Sequence, residues 1–487
     1  MSHGCSIVDW VEKELETLDL GDQRRVKRGR KMLVDMCQHP TASVWAMSDG
    51  TGEAKGAYRF LSNEDVDPAA IRHAAVDACL KRVEKEPVIL AIQDTTSLDF
   101  SGHDSLELGP TGGGKGSSGN GLFVHSTIAV SEGGVPLGLL HQSDWVRDRK
   151  KTGSRHRRRE LPIEEKESFC WIAARRAVGE LIPPTTRVIH VADREADIFE
   201  MFAEPKGGNE FMLIRATRER CLEVADDEHD EVGVPEEDAA PEDKQVHTHL
   251  LAAVAAAPVV GEFDLVLKYG RMNRPPREIR LAMRVCTVRV KPPTHGVHDP
   301  GLQPVTLTAV LAEEIDPPEK QKPISWLLLT DLDVFDAEMA RECVRLYSLR
   351  WLIERYHYVL KSGCRIEQTQ LRSVEALRRL LALYCVVALR LLWITYSARI
   401  DGDQPCTVAY STMEWKVLFR YFNPKDAFPT TPPPLNTVVL WTARLGGFKG
   451  RKGDGPPGVK TLWTGLSNLH YTVLGAALFA PEDVGKG

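Results

Sequence analysis

Two stretches constrain the fold of this chain more than any others. Glu86-Pro-Val-Ile-Leu-Ala-Ile-Gln93-Asp94 and Arg187-Val-Ile-His-Val-Ala-Asp193 are each a short apolar run that ends in an aspartate. Strands buried on both faces, as in a parallel sheet, read in this continuous way, whereas half-exposed strands alternate. Strand ends in a shared sheet sit side by side, so two carboxylates are expected to converge. Either aspartate alone has a local explanation, because Asp94-Thr95-Thr96-Ser97 is good turn chemistry and Asp193-Arg194-Glu195 can cap a helix.

A third segment adds a carboxylate. Tyr347 to Lys361 contains no Pro or Gly and keeps apolar residues at helical intervals. In one continuous helix Tyr347, Arg350, Glu354 and Lys361 would fall within an arc of about 60°. Such a face is either a solvated salt-bridge surface or a site in which the Glu holds a divalent cation while phenol, guanidinium and ammonium grip phosphates. Two strand-end aspartates beside it favour the site, since hard cations take several oxygen ligands.

Gln93-Asp94-Thr95-Thr96-Ser97-Leu98, Ala192-Asp193-Arg194-Glu195-Ala196-Asp197-Ile198 and the Tyr347, Arg350, Glu354, Lys361 spacing resemble the three signature motifs of the bacterial DDE cut-and-paste transposases of the IS-four (Tn-five-type) family. Further segments resemble the same family in order along the chain. They are Leu20 to Arg25, Gly56 to Phe60, Val124 to Ser126, Gly138 to Gln142, Glu165 to Ser168, Ala443 to Phe448, and Leu462-Trp463. The resemblance implies an RNase-H-like catalytic core in which Asp94, Asp193 and Glu354 bind two magnesium or manganese ions. It implies that Tyr347, Arg350 and Lys361 hold phosphates at the transposon end, with Trp351 and the amino-terminal Arg24, Arg25, Arg28 and Arg59 as further DNA contacts. Trp326 stands where the family stacks a base flipped out of that end. The family's second helix lysine is here Tyr358.

Net charge is −6, which on its face disfavours a nucleic-acid partner. Much of the negative charge lies in the Pro-containing run from Asp226 to Asp243, read as a disordered loop. Positive charge clusters at Arg24 to Lys31, Arg149 to Arg159, Lys268 to Arg280 and Lys449 to Lys452. The ten cysteines show no Cys-x-x-Cys pair and no zinc spacing, as suits reduced thiols in a bacterial cytoplasm. No signal pattern is visible, and the apolar stretch Leu380 to Ile394 carries Arg390, so a packed helix is expected and no membrane partner.

The expected class is α/β, in three parts. Residues 1–72 form a helical DNA-binding module. Residues 73–398 form the RNase-H-like core, whose hairpin is Phe123 to Val130 with Val135 to Leu140 and whose helix is Ser168 to Leu181. An all-β subdomain is inserted at about residues 205–335. Residues 399–487 form a helical dimerisation region. The function expected is a transposase that binds inverted terminal repeats, cleaves them through a hairpin intermediate, and joins them to target DNA as a homodimer in a paired-end complex at the nucleoid. A binding-only regulator and a glycosidase with paired carboxylates are the competing classes. The first does not account for all three acids, nor the second for the Tyr-Arg-Lys face.

Overall fold

A computed structural model of the chain describes residues 6–102, 108–112, 119–149, 160–223, 248–267, 277–294, 299, 301–318 and 323–478. The acidic run from Asp226 to Asp243, the basic residues 150–159 and the basic residues 268–276 lie outside them. In chain order the elements are helices α1 (Ile7–Glu14), α2 (Gln23–Gln38), α3 (Thr51–Ser62) and α4 (Pro68–Val83), then strands β1 (Val88–Asp99), β2 (Gly109–Pro110), β3 (Asn120–Ser131) and β4 (Pro136–Trp145). Next come α5 (Phe169–Leu181), β5 (Arg187–Ala192), α6 (Phe199–Ala203), β6 (Glu210–Arg215) and α7 (Leu250–Ala256), followed by β7 (Val259–Leu267), β8 (Arg277–Val290), β9 (Val305–Glu314) and β10 (Ser325–Thr330). The chain ends in helices α8 (Ala337–Ser348), α9 (Trp351–Tyr358), α10 (Val374–Ile400), α11 (Thr412–Phe422), α12 (Leu435–Leu445) and α13 (Val459–Leu478). The chain is thus a mixed α/β protein with helices before and after its strands.

Two compact units divide it. The first takes residues 1–153, 180–186 and 351–487, and the second residues 154–179 and 187–350.

The first unit begins with capped helices. Ser6 and Asp9 form a reciprocal capping box on α1, Asp22 caps α2, and Asp67 caps α4 with Pro68 in its first turn. From that Asp-Pro start α4 runs on through residue 72 to Val83. Strands β1, β3 and β4 form an antiparallel meander, with Ile92 opposite Ile128 and Ser126 opposite Gln142. The β3–β4 turn uses Gly134 at φ 95, a conformation glycine adopts without steric cost.

Helix α10 is the spine of this unit. It is long and apolar enough to cross a membrane, yet its most apolar window is 94% buried, which makes it a core helix. Its Arg379 is buried and donates to the carbonyls of Leu61 (3.0 Å) and Val66 (2.7 Å), which satisfies backbone acceptors beyond the end of α3. Helices α12 and α13 pack on α10, and Ile394 shares a core with Trp415, Leu435, Val438 and Leu462. The carboxy-terminal helices therefore grow from α10 and do not start a new core at residue 399.

In the second unit β5 and β6 are parallel, with Ala192 opposite Ile214, and β6–β10–β9–β8–β7 continue antiparallel. Between Asp193 and Glu354 the described residues hold five strands, β6 to β10. The insertion is not all β, because Leu250–Ala256 is helical, and its first strand β6 pairs with β5. Trp171, Ile198, Phe199, Met212, Val288, Leu307 and Leu329 share its core.

Candidate active site

Strand β1 is apolar and fully buried from Ile89 to Ile92 and surfaces at Asp94, which is half-buried and stands opposite Ser126. The Thr95 amide donates to Asp94 Oδ1 at 2.8 Å. Behind it, His125 is buried between Thr95 Oγ1 (2.8 Å from Nδ1) and Gln93 Oε1 (3.1 Å from Nε2). Burial, with His141 and His357 nearby, lowers the His125 pKa to about 3, so the ring is neutral. A neutral ring donates from Nε2 to the Gln93 oxygen and accepts the Thr95 hydroxyl at Nδ1. Both nitrogens are thereby engaged.

Helix α9 packs against β1 in the same unit. Leu352, Ile353, Tyr356 and His357 face inward, while Glu354 is exposed. The His357 pKa is also lowered to about 3, by burial and then by Lys361. Lys361 Nζ lies 4.0 Å from Glu367 Oε1, which accepts the Asp99 amide at 2.9 Å. Trp351 is 41% exposed, meets Tyr396 edge-on with centroids 5.8 Å apart, and lies beneath the Arg355 guanidinium.

The single helix expected from Tyr347 to Lys361 is not formed. Leu349 and Arg350 make tight three-residue hydrogen bonds back to Leu346 (3.1 Å) and Tyr347 (3.0 Å), ending α8. Beyond α9 the Cys364 amide reaches back five residues to Val359 at 2.8 Å, a π turn that contains Lys361. Each helix follows its own packing partner: α8 lies on β6 to β9 of the second unit, α9 on β1 of the first. The common face drawn from 100° per residue is therefore replaced by separate segments.

In the second unit Asp193 leaves the end of β5 half-buried, and its Oδ1 accepts the Glu195 amide at 2.8 Å. Tyr347 is only 6% exposed. Burial raises its phenol pKa against the pull of Arg350 and Arg215, while the Asp193 carboxylate pushes it further up. Trp326, the second residue of β10, has its ring 6.4 Å from that of Tyr347 at 59°. Arg215 ends β6 opposite Leu328 and donates to the Ser325 carbonyl at 3.2 Å. The sequence reading missed Arg215, although a cation closing the apolar strand Phe211 to Arg215 was a visible signal.

The four amino-terminal arginines differ. Arg24 is exposed and bridges Asp22 at 3.0 Å, and Arg59 is exposed on α3. Arg25 pairs with Asp65 and Arg28 with Glu53, so both brace the helices of this region.

Among the described residues no three His, Cys, Asp or Glu side chains form a ready metal cluster. The donor chemistry still suits a hard cation. Asp94, Asp193 and Glu354 offer oxygen only, and His125, paired with the neighbouring Thr95, has both ring nitrogens engaged.

Three family profiles match the chain in order. Residues 7–66 match the transposase DNA-binding family, residues 314–390 the transposase DDE domain, and residues 386–482 the transposase Tn5 dimerisation domain. The last begins inside α10, in keeping with the shared core of α10, α12 and α13. Amino-terminal DNA-binding, DDE and dimerisation segments, all present and in order, indicate a Tn5-type DDE transposase, a metal-dependent enzyme that cleaves DNA and transfers its strands.

Proposed function

We propose that Asp94, Asp193 and Glu354 are the ligands of two magnesium ions, with manganese as the substitute, in an RNase-H-like core. The observation that carries this reading is the packing of α9, bearing Glu354, against β1, bearing Asp94, inside a chain that matches the DDE domain. When bound, such ions activate an attacking water or hydroxyl and stabilise the leaving oxygen of the phosphodiester. The protein's share is to bind, orient and exclude water.

Tyr347, Arg350 and Lys361 would hold phosphates of the inverted terminal repeat, with Arg215 beside Tyr347 extending the grip. Trp326 would receive a base turned out of the duplex, which relieves the bend of a hairpin on the transposon end, and Trp351 offers a second exposed indole. Exposed Arg24 and Arg59 would contact DNA from the amino-terminal helices. Helices α11 to α13 would join two chains in the paired-end complex before insertion into target DNA. Free thiols among the described residues, six of the nine buried, and the buried α10 accord with work in the cytoplasm, at the nucleoid.

The test is cleavage of a labelled transposon-end duplex in magnesium or manganese. Asp94→Ala, Asp193→Ala or Glu354→Ala should each lower single-turnover cleavage by about 1,000-fold or more while end binding in a gel stays near wild type. A variant that cuts at wild-type rate removes its residue from the ligand set.

A further inference from the structure

Inside the first unit a chain of buried polar groups connects the strands behind Asp94 to the helix that carries Glu354. Gln142 on β4 lies directly opposite Ser126 on β3, and Ser126 lies directly opposite Asp94 on β1. The Gln142 amide nitrogen donates to Ser126 Oγ at 3.1 Å and to Tyr356 Oη at 3.2 Å, and its oxygen accepts the Cys385 thiol from α10 at 3.1 Å. Ser126, Tyr356 and Cys385 are at most 1% exposed, and Gln142 is 7% exposed. With the amide oxygen toward the α10 thiol and its nitrogen toward Ser126 and α9, every one of these groups is paired.

An unpaired polar group in such a place costs stability, so apolar side chains would fill it as well if packing were all it did. What this arrangement adds is direction. Helix α9 has only eight residues and lies between the tight turn at Leu349-Arg350 and the π turn from Val359, so neither neighbouring helix sets its rotation. Tyr356 follows Glu354 by two residues, about 200° around the axis, so one is the inward anchor and the other points out.

We propose that Gln142 is a positioning residue for the catalytic carboxylates: by tying Tyr356 to Ser126 it fixes the rotation of α9 and with it the placing of Glu354 relative to Asp94. The proposal rests on the reading of those two carboxylates as metal ligands.

Direct manganese binding to the full-length chain, followed by the electron paramagnetic resonance of free Mn2+, separates the possibilities. Alongside wild type it uses Asp94→Ala, Glu354→Gln, Gln142→Leu, Tyr356→Phe and Cys385→Ala, with circular dichroism and a melting curve for each. Groups that orient ligands from behind typically set affinity by about 10–100-fold. Gln142→Leu and Tyr356→Phe should weaken manganese binding by about 10-fold or more while remaining folded. Cys385 bonds both the Gln142 amide and the Tyr356 hydroxyl, so Cys385→Ala should lower the melting temperature and weaken manganese binding less than Gln142→Leu does. Tyr356→Phe keeps the ring in the core, so it serves if Gln142→Leu does not fold. Weakened binding in the two ligand variants, with Tyr356→Phe at wild-type affinity, overturns the positioning role alone. Wild-type affinity in Asp94→Ala and Glu354→Gln overturns the ligand reading and the proposal together.

Discussion

Replacing Asp197 by alanine should destabilise the second unit by about 3–5 kcal/mol, the cost of removing one partner from a buried ion pair. Asp197 is fully buried four residues after Asp193. Its Oδ2 accepts the amides of Thr217 (2.7 Å) and Arg218 (2.9 Å), and its Oδ1 accepts Arg220 Nε at 3.2 Å and also its Nη2. Alanine leaves two amides and a guanidinium that is itself 9% exposed without their acceptor. Asparagine keeps one oxygen for the amides and turns an NH2 toward Arg220, so Asp197→Asn should cost about 2–3 kcal/mol, the upper range for a hydrogen bond to a charged group. A chain of two units need not unfold in one step, so the assay is native-state hydrogen exchange read at the Thr217 and Arg218 amides, with urea unfolding as a check. At about 1.4 kcal/mol per tenfold, the alanine variant should speed exchange there by roughly 100-fold or more. End cleavage should fall with it, because the turn that carries Asp193 is anchored through Asp197. Unchanged exchange at these amides, with less than about 1 kcal/mol lost in both variants, would refute the reasoning.

Trp326→Ala should leave the first nick largely intact and slow hairpin formation, and an abasic nucleotide at the flipped position should partly restore it; equal loss of both steps would mark a packing role. A Cβ on Gly465 would sit 1.9 Å from the Thr442 carbonyl, so Gly465→Ala should force α12 and α13 apart at about 1–3 kcal/mol and deplete paired-end complexes in a gel while single-end binding persists. Both His125 and His357 have folded pKa values of about 3, below the usual 6.5, so the unfolded chain binds more protons between those values. Stability present above pH 6.5 should therefore decline as pH falls, by on the order of 1 kcal/mol per histidine per pH unit, and urea midpoints of His125→Gln with His357→Gln should flatten that slope.

Legibility in the sequence followed the range of the interaction involved. The apolar run up to Asp94, the β3–β4 hairpin and the helix read at Ser168 to Leu181 rest on local apolar pattern and turn chemistry and could be read directly, although β1 continues past Asp94 to Asp99 because β3 stays paired alongside it. A cation closing the strand Phe211 to Arg215 is visible locally, but its place beside Tyr347 depends on the pairing of β6 with β10, more than a hundred residues apart in sequence, and no local pattern carries that. The break between α8 and α9 is a different case, because its signal was present. The buried positions of α8 are Ala340, Cys343, Val344, Leu346 and Tyr347, and a continuous helix would carry the stripe of Ala340, Cys343, Val344 and Tyr347 on to Trp351, Glu354 and Tyr358. The sequence instead places Leu352, Ile353 and Tyr356 inside, so the apolar stripe jumps by about half a turn at Leu349-Arg350. Tyr347 and Glu354 share nearly the same phase at 100° per residue, and one unbroken helix would bury both or expose both. Only the break allows a phenol packed beside Trp326 and a carboxylate open to solvent within seven residues of each other.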